Sequence, residues 1–378
     1  MSFAPARTIA AALVAGAALL ISSTTTTAAE PRQVDVFISG QEGYHTFRIP
    51  GLLRTQDGTL LAFCEGRKTG DGDHGDVDLV MKRGEDDGRA WGDLMLVHEE
   101  GGDAEITIGN PCPVQDESTG TIWLPFCRDN NNVLMMHSND DGRTWSKPAD
   151  ITKQVKRPGW GWYATGPGVG IQLHHGAHAG RLVIPCDHRE PIDGKQVMMS
   201  HCFYSDDGGA SWQLGESVAP HTDECQVVEL SDGRLLINMR NYWARSGGEP
   251  KKGGMRAIAY SGDGGASWSG LKFDKALIEP ICQGSLVAGI TMEGASRAPL
   301  FFSNPASKTK RHRLTIRISR DGGKTWPLAR MLHEGSAGYS CLAVLSEKQI
   351  GCLYERDNYR RITYAEVDVR WLMSTDNQ

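Results

Sequence analysis

The chain has 378 residues, with 40 Lys and Arg against 46 Asp and Glu, so its formal charge is −6 at neutral pH. That balance argues against nucleic acid or an anionic membrane as the general partner, and an anionic substrate would need a locally basic site. Forty-five Gly, ten Trp and a 39% hydrophobic share exclude a disordered chain and leave apolar material for a large core.

From the N-terminus, Arg7, an apolar run over residues 9–21, a Ser/Thr stretch and Ala28-Ala29 follow the order of a secretory leader, so residues 1–29 are expected to be a signal peptide. The folded unit is then expected over residues 30–378, without a linker that would divide it, in a secreted or periplasmic protein. The apolar run is too short to cross a bilayer, and no later stretch approaches the roughly 20 apolar residues of a membrane helix, so no membrane span is expected. Nine Cys is an odd number, which leaves at least one unpaired within the chain. Cys64, Cys127, Cys186 and Cys202 lie in strand-like runs where Cys serves as a small buried hydrophobe, and the double CxxC spacing of a structural zinc site is missing.

One short motif recurs along the chain. Ser138-Asn-Asp140-Asp-Gly142-Arg-Thr-Trp145 returns at residues 205–212, 261–268 and 319–326, and residues 84–91 form a weaker copy with Gly in the Ser place. The intervals between Asp86, Asp140, Asp207, Asp263 and Asp321 are 54, 67, 56 and 58 residues, the period of one repeated supersecondary unit. Each copy follows a strand-like run. Leu314, Ile316 and Ile318 alternate with Thr315, Arg317 and Ser319, as in a half-buried strand. The Ser and Asp side chains can bond the turn's own backbone while the Trp packs back onto the sheet, so the motif reads as a hairpin staple rather than a catalytic acid. Strand-rich repeats of this length predict an all-β protein, a β-propeller of six four-stranded blades. The last blade would hold runs at residues 341–345, 351–355 and 362–369 and be closed by residues 34–38, which removes a free edge.

The stapled repeat resembles the Asp box of sialidases, and Phe47-Arg48-Ile49-Pro50 resembles the Phe/Tyr-Arg-Ile-Pro motif near the start of those enzymes. The similarity extends from end to end, so no accessory lectin domain is expected. It implies three arginines that grip the sugar carboxylate: Arg48, Arg240 in Leu-Ile-Asn-Met-Arg-Asn, and Arg311, for which Arg313 and Lys310 are neighbouring alternatives. Guanidinium groups suit that task because each offers paired planar donors and keeps its charge. The resemblance also assigns Arg67 to the O4 side of the sugar and Glu355 as the acidic partner of the first arginine.

The nucleophile implied is Tyr339 in Ala-Gly-Tyr-Ser-Cys, since a neutral phenol avoids the like charge that a carboxylate would meet at a carboxylate-bearing anomeric carbon. A phenol of ordinary pKa needs a base beside it, and the resemblance assigns Glu224, with Glu229 as the nearby alternative. The acid/base residue is expected in the Gly-rich loop of residues 69–78, with Asp73 chosen over Asp71 and Asp76. Calcium is the rival reading of that loop, but the EF-hand pattern fails, with Asp76 and Lys82 where Gly and an acidic ligand belong. Residues 108–113 resemble the lining of an N-acetyl pocket, with a plain inter-strand turn as the alternative, and residues 163–168 resemble a loop bordering the glycerol side chain, with a tight Gly/Pro turn as the alternative. His174, His175 and His178 read as a solvent-facing loop.

The resemblance implies a secreted exo-α-sialidase that removes terminal sialic acids from glycoproteins, glycolipids or oligosaccharides with retention, and neither a metal nor an organic cofactor is expected. Sialyl transfer, intermolecular or intramolecular, is the rival within enzymology, and a non-catalytic sialic-acid-binding propeller is the rival from another class.

Overall fold

The computed structural model describes residues 1–4, 29–102, 104–291 and 294–374; most of the expected leader lies outside them. The fold is all-β and propeller-like, built from five hydrogen-bonded sheets. Four hold four or five strands each, and the fifth joins seven strands through Leu328–Ser346. This 19-residue strand pairs with His312–Ser319 through its first half and with Gln349–Arg356 through its second. Arg32–Ile38 completes the same sheet by pairing antiparallel with Arg361–Asp368, so the two ends of the described fold share one sheet. Among the described residues, no helix is long and apolar enough to cross a membrane.

Inner segments of the sheets lie in direct contact. Leu52 N donates to Cys341 Sγ at 3.3 Å, Leu342 N to Ser285 Oγ at 2.9 Å, and Gly170 N to the Pro113 carbonyl at 2.9 Å. Backbones approach so closely there that a Cβ at Gly51 would sit 3.1 Å from the Gly168 carbonyl oxygen. Outside these contacts, buried apolar clusters fill the seams between sheets. One packs Val36 and Phe47 against Cys341 and Tyr364, another Phe63 and Met81 against Ile122 and Phe126, and a third Ile316 against Leu342 and Val367 within the seven-stranded sheet. Because neighbours cover both faces, His312–Ser319 is not half-buried as its alternation suggests: Thr315, Arg317 and Ser319 are buried with the apolar residues.

The four complete repeats form nearly identical staples. Ser138 Oγ donates to Asp140 Oδ1 at 2.8 Å and accepts from Gly142 N at 2.9 Å, while Asp140 Oδ1 accepts from Thr144 N at 2.9 Å. The same bonds recur around Asp207, Asp263 and Asp321. The weaker copy departs from this because Gly84 has no hydroxyl: Asp86–Gly88 forms a 3-10 turn instead, and Trp91 Nε1 donates to the Gly88 carbonyl at 3.0 Å. All nine cysteines are free and buried. His174 and His175 are solvent-facing, and their backbone N–H groups bond the carboxylate of Glu229 at 2.7 and 3.0 Å.

Candidate active site

Three candidate residues sit at breaks in β-pairing. A register shift between Arg48 and Gly51 places Ile49 at φ +61°, a left-handed conformation that a β-branched residue adopts only under constraint. The second shift lies between Thr222 and Cys225, and the third between Ala337 and Ser340. Regular alternation would send Asp223 and Glu224 to opposite faces; the bulge lets both line one cavity.

Glu355 organises the floor. Its carboxylate, 0% exposed, accepts from Arg48 Nε at 2.8 Å, Ile49 N at 2.9 Å and Tyr339 N at 2.9 Å. Burial works against the Arg48 charge, but Glu355 more than offsets this and holds the guanidinium above its ordinary range. Arg48 also lies over the rings of Tyr359, at 4.0 Å to the centroid, and Tyr339, at 5.4 Å.

Tyr339 stands at the centre of the cluster. Its phenol donates to Glu224 Oε1 and accepts from Arg240 Nη1 at 3.1 Å, while Arg240 Nη1 also reaches Glu224 Oε2 at 2.6 Å. Arg311 completes the triad, with its guanidinium 5.5 Å from the Tyr339 ring centroid and Nη1 donating to Tyr359 Oη at 3.1 Å. The structure therefore gathers Arg48, Arg240 and Arg311 around one phenol. Arg313 and Lys310 are exposed. Burial, then the Glu224 charge, raises the Tyr339 pKa well above the usual phenol range, with Arg240 and Arg311 opposing the shift. The free site thus holds a neutral phenol with its proton directed at a carboxylate.

Asp73 faces this group from the loop. Its side chain is 67% exposed, and Oδ1 lies 3.0 Å from Arg67 Nη2 and 3.8 Å from Arg48 Nη1. Arg67 is fixed from below by Glu65 Oε2 at 2.7 Å. The other loop acids turn away: Asp76 pairs with Lys68 at 3.4 Å, and Asp71 contributes its backbone carbonyl to Arg67. Glu229, held by the histidine loop, lies outside the cluster. Among the described residues, no group of three or more His, Cys, Asp and Glu is placed to hold a metal ion.

A cavity of roughly 440 Å³ opens over these groups, lined by Arg67, Asp73, Glu224, Arg240 and Tyr339 of the eight candidates. Arg48 and Arg311 flank Tyr339 without lining it, and Glu355 lies behind. A second cavity of roughly 590 Å³ is larger, yet it is lined by Leu52, Val228, Leu286 and Ala343 and holds none of the eight. Chemistry favours the smaller one. Asn110 lines it too, from the segment read as an N-acetyl pocket, with its N–H bonded to Glu65 Oε1 at 3.0 Å. Trp162, Asp187, Arg189, Asp223 and Tyr242 also line it, and Tyr359 bridges two arginines; sequence reading missed all six. The Asp223-Glu224 dipeptide was the one available signal, and strand alternation hides it.

The BNR repeat-like domain family matches residues 58–352. A sialidase of Micromonospora viridifaciens is 37% identical over 363 residues, covering 89% of this chain and 54% of its own length, so the chain spans about half of that relative. An exo-alpha-sialidase of Aspergillus fumigatus is 31% identical over 89% of this chain and 87% of its own. The solved structure of the Hadza microbial sialidase Hz136 superposes with a TM-score of 0.80 at 30% identity, covering 89% of this chain and 68% of that one.

Proposed function

As the chain belongs to the sialidase family of BNR-repeat proteins, we propose that it is a secreted exo-α-sialidase acting on terminal sialic acids of glycoproteins, glycolipids or oligosaccharides. The observation that carries this reading is the Tyr339 phenol bonded to Glu224 and surrounded by three guanidinium groups. Arg48, Arg240 and Arg311 receive the sugar carboxylate, and Arg67 faces the far side of the ring.

As the Tyr339 oxygen bonds to the anomeric carbon, its proton passes to Glu224 and the glycosidic bond breaks. Asp73 protonates the departing oxygen. Its exposure in a loop at the cavity mouth suits a group that must reach the aglycone. In the second step Asp73 takes a proton from water, the water oxygen replaces the phenolic oxygen, and Glu224 returns the proton to Tyr339. Two inversions give net retention. None of these steps uses a metal or cofactor.

The six-blade count belongs to the same reading. It is supported by the paired halves of Leu328–Ser346 and by apolar seams that continue through the seven-stranded sheet. Export to the periplasm or medium rests on residues 1–29 as a leader, with residues 30–378 as the catalytic unit.

Incubation with sialyl-lactose followed by chromatography tests the reaction. Free sialic acid is expected from the wild type and its absence from Tyr339→Phe; an anhydro sugar or a new sialoside would reassign the activity to transfer, and tight sialic acid binding without turnover to a lectin.

A further inference from the structure

The wall of the cavity contains two carboxyl groups that the reaction above does not employ. Asp187 on Leu182–Ile192 is 1% exposed and Asp223 on Thr222–Glu229 is 9% exposed. Both line the same cavity, from strands that pack against each other. Trp162 Nε1 donates to Asp187 Oδ2 at 3.2 Å, whereas Asp187 Oδ1 is buried without a partner. Opposite them, Arg240 spends its Nη groups on Glu224, Tyr339 and Tyr242, but its Nε is buried and unbonded, 3.8 Å from Asp223 Oδ2. Two buried polar atoms in this wall, Asp187 Oδ1 and Arg240 Nε, thus lack partners.

We propose that Asp187 and Asp223 are positioning residues: a proton shared between their carboxyl groups sets how much of the Arg240 charge is available to an anionic ligand. Two ionised carboxylates in contact within a dry wall repel strongly, and a proton on Asp187 both removes that repulsion and gives its orphaned oxygen a partner in Asp223. Burial first, then the charges of Asp223 and Glu224, pushes Asp187 well above the carboxylate range, so of the two carboxyls the proposal leaves the retained proton on Asp187. Asp223 is pushed up to about 6 by burial and Glu224, with Arg240 opposing.

The pair therefore carries two protons in weak acid and one at neutral pH. Loss of the second places a negative charge beside Arg240, where it offsets the field that attracts a carboxylate ligand. Affinity for an anionic sugar should fall as pH rises through about 6. The charged groups beside the pair are Glu224, Arg240 and Arg189; Glu65, Arg67, Asp73 and His74 line the same cavity, His74 against the Trp162 ring, and the Tyr242 phenol, raised by burial, borders Asp223. The Tyr163, Cys127 and Cys225 side chains lie nearby, but burial raises each far enough that they stay neutral in this range.

This inference rests on the sialoside reading of the site, and the experiment separates the two. Calorimetric titration of free N-acetylneuraminic acid into the full chain, in weak acid and at neutral pH, gives affinity independently of turnover; the same samples are assayed with a fluorogenic sialoside. The wild-type Kd is expected to rise on the order of tenfold towards neutral pH. Asp223→Asn should hold the tighter value throughout. Asp187→Asn, whose amide replaces the O–H donor without adding charge, should keep the wild-type profile, while Asp187→Ala should move the rise to higher pH. The Asp187 variants carry the test if Asp223→Asn does not fold. Turnover with a flat wild-type Kd, or a wild-type profile in Asp223→Asn, overturns the inference alone. Turnover without measurable sialic acid binding likewise overturns the inference alone, and the absence of both binding and turnover at every pH overturns both readings.

Discussion

The backbone N–H of Tyr339 donates to the buried carboxylate of Glu355 at 2.9 Å, and the same carboxylate accepts from Arg48 Nε at 2.8 Å. One side chain thereby sets the distance between a phenol and a guanidinium separated by nearly the whole chain. Glu355→Ala would leave the Arg48 charge buried without its partner, a loss of about 3–5 kcal/mol. Chemical denaturation should show that loss together with inactivity, and Glu355→Gln should unfold at a higher denaturant concentration than Glu355→Ala.

Glu224 makes its contribution to rate rather than to the fold. Glu224→Gln keeps the shape and removes the base, so kcat should fall by about 10²–10⁴-fold. Circular dichroism should find the variant folded. A loss of activity explained by unfolding would contradict the role.

Asp73 is exposed, so Asp73→Asn should change stability by no more than about 0.5 kcal/mol. Its effect on rate should depend on the leaving group. A natural sialoside needs the departing oxygen protonated and should slow by about 10²–10⁴-fold, whereas an activated aryl sialoside should slow far less. Equal losses on both substrates would point to another acid, such as Asp71.

The staples make a pH-dependent contribution to stability. The Thr144 hydroxyl, then the Thr144 N–H, holds Asp140 down to about 2, below its ordinary value. A carboxylate depressed in the folded state stabilises it above the unfolded pKa of roughly 4, and this is lost as pH falls through the folded value. Asp140→Asn should therefore lower Tm at neutral pH, modestly because the site is solvated, and the gap to wild type should close as pH falls towards 2.

The nine buried thiols should be inert in the native protein. Thiol titration should detect almost none before denaturant and all nine after it. Fewer than nine after denaturation without reductant would reveal a disulfide.

The staples were legible because Ser, Asp, Gly and Trp act within one short turn, where sequence distance and spatial distance agree. Arg48, Arg240 and Tyr339 were legible only through motif resemblance, since nothing local to each predicts their meeting. Part of what stayed hidden depends on broken register. Bulges beside Arg48, Asp223 and Tyr339 re-aim side chains against strand alternation, so Asp223 reads as an ordinary strand residue; Asp187 lies in unbroken register, and what hides it is that its neighbours come from strands distant in sequence. The burial of Arg317 was hidden for a different reason: alternation reports the pleat, not whether both faces are covered.

The most direct test of the central claim is to trap the reaction with an activated fluorosialoside and map the adduct by mass spectrometry. The sugar is expected on the peptide containing Tyr339, bound through the phenolic oxygen, with none in Tyr339→Phe. An adduct on Glu224 or Asp73, or continued turnover by Tyr339→Phe at the wild-type rate, would contradict it.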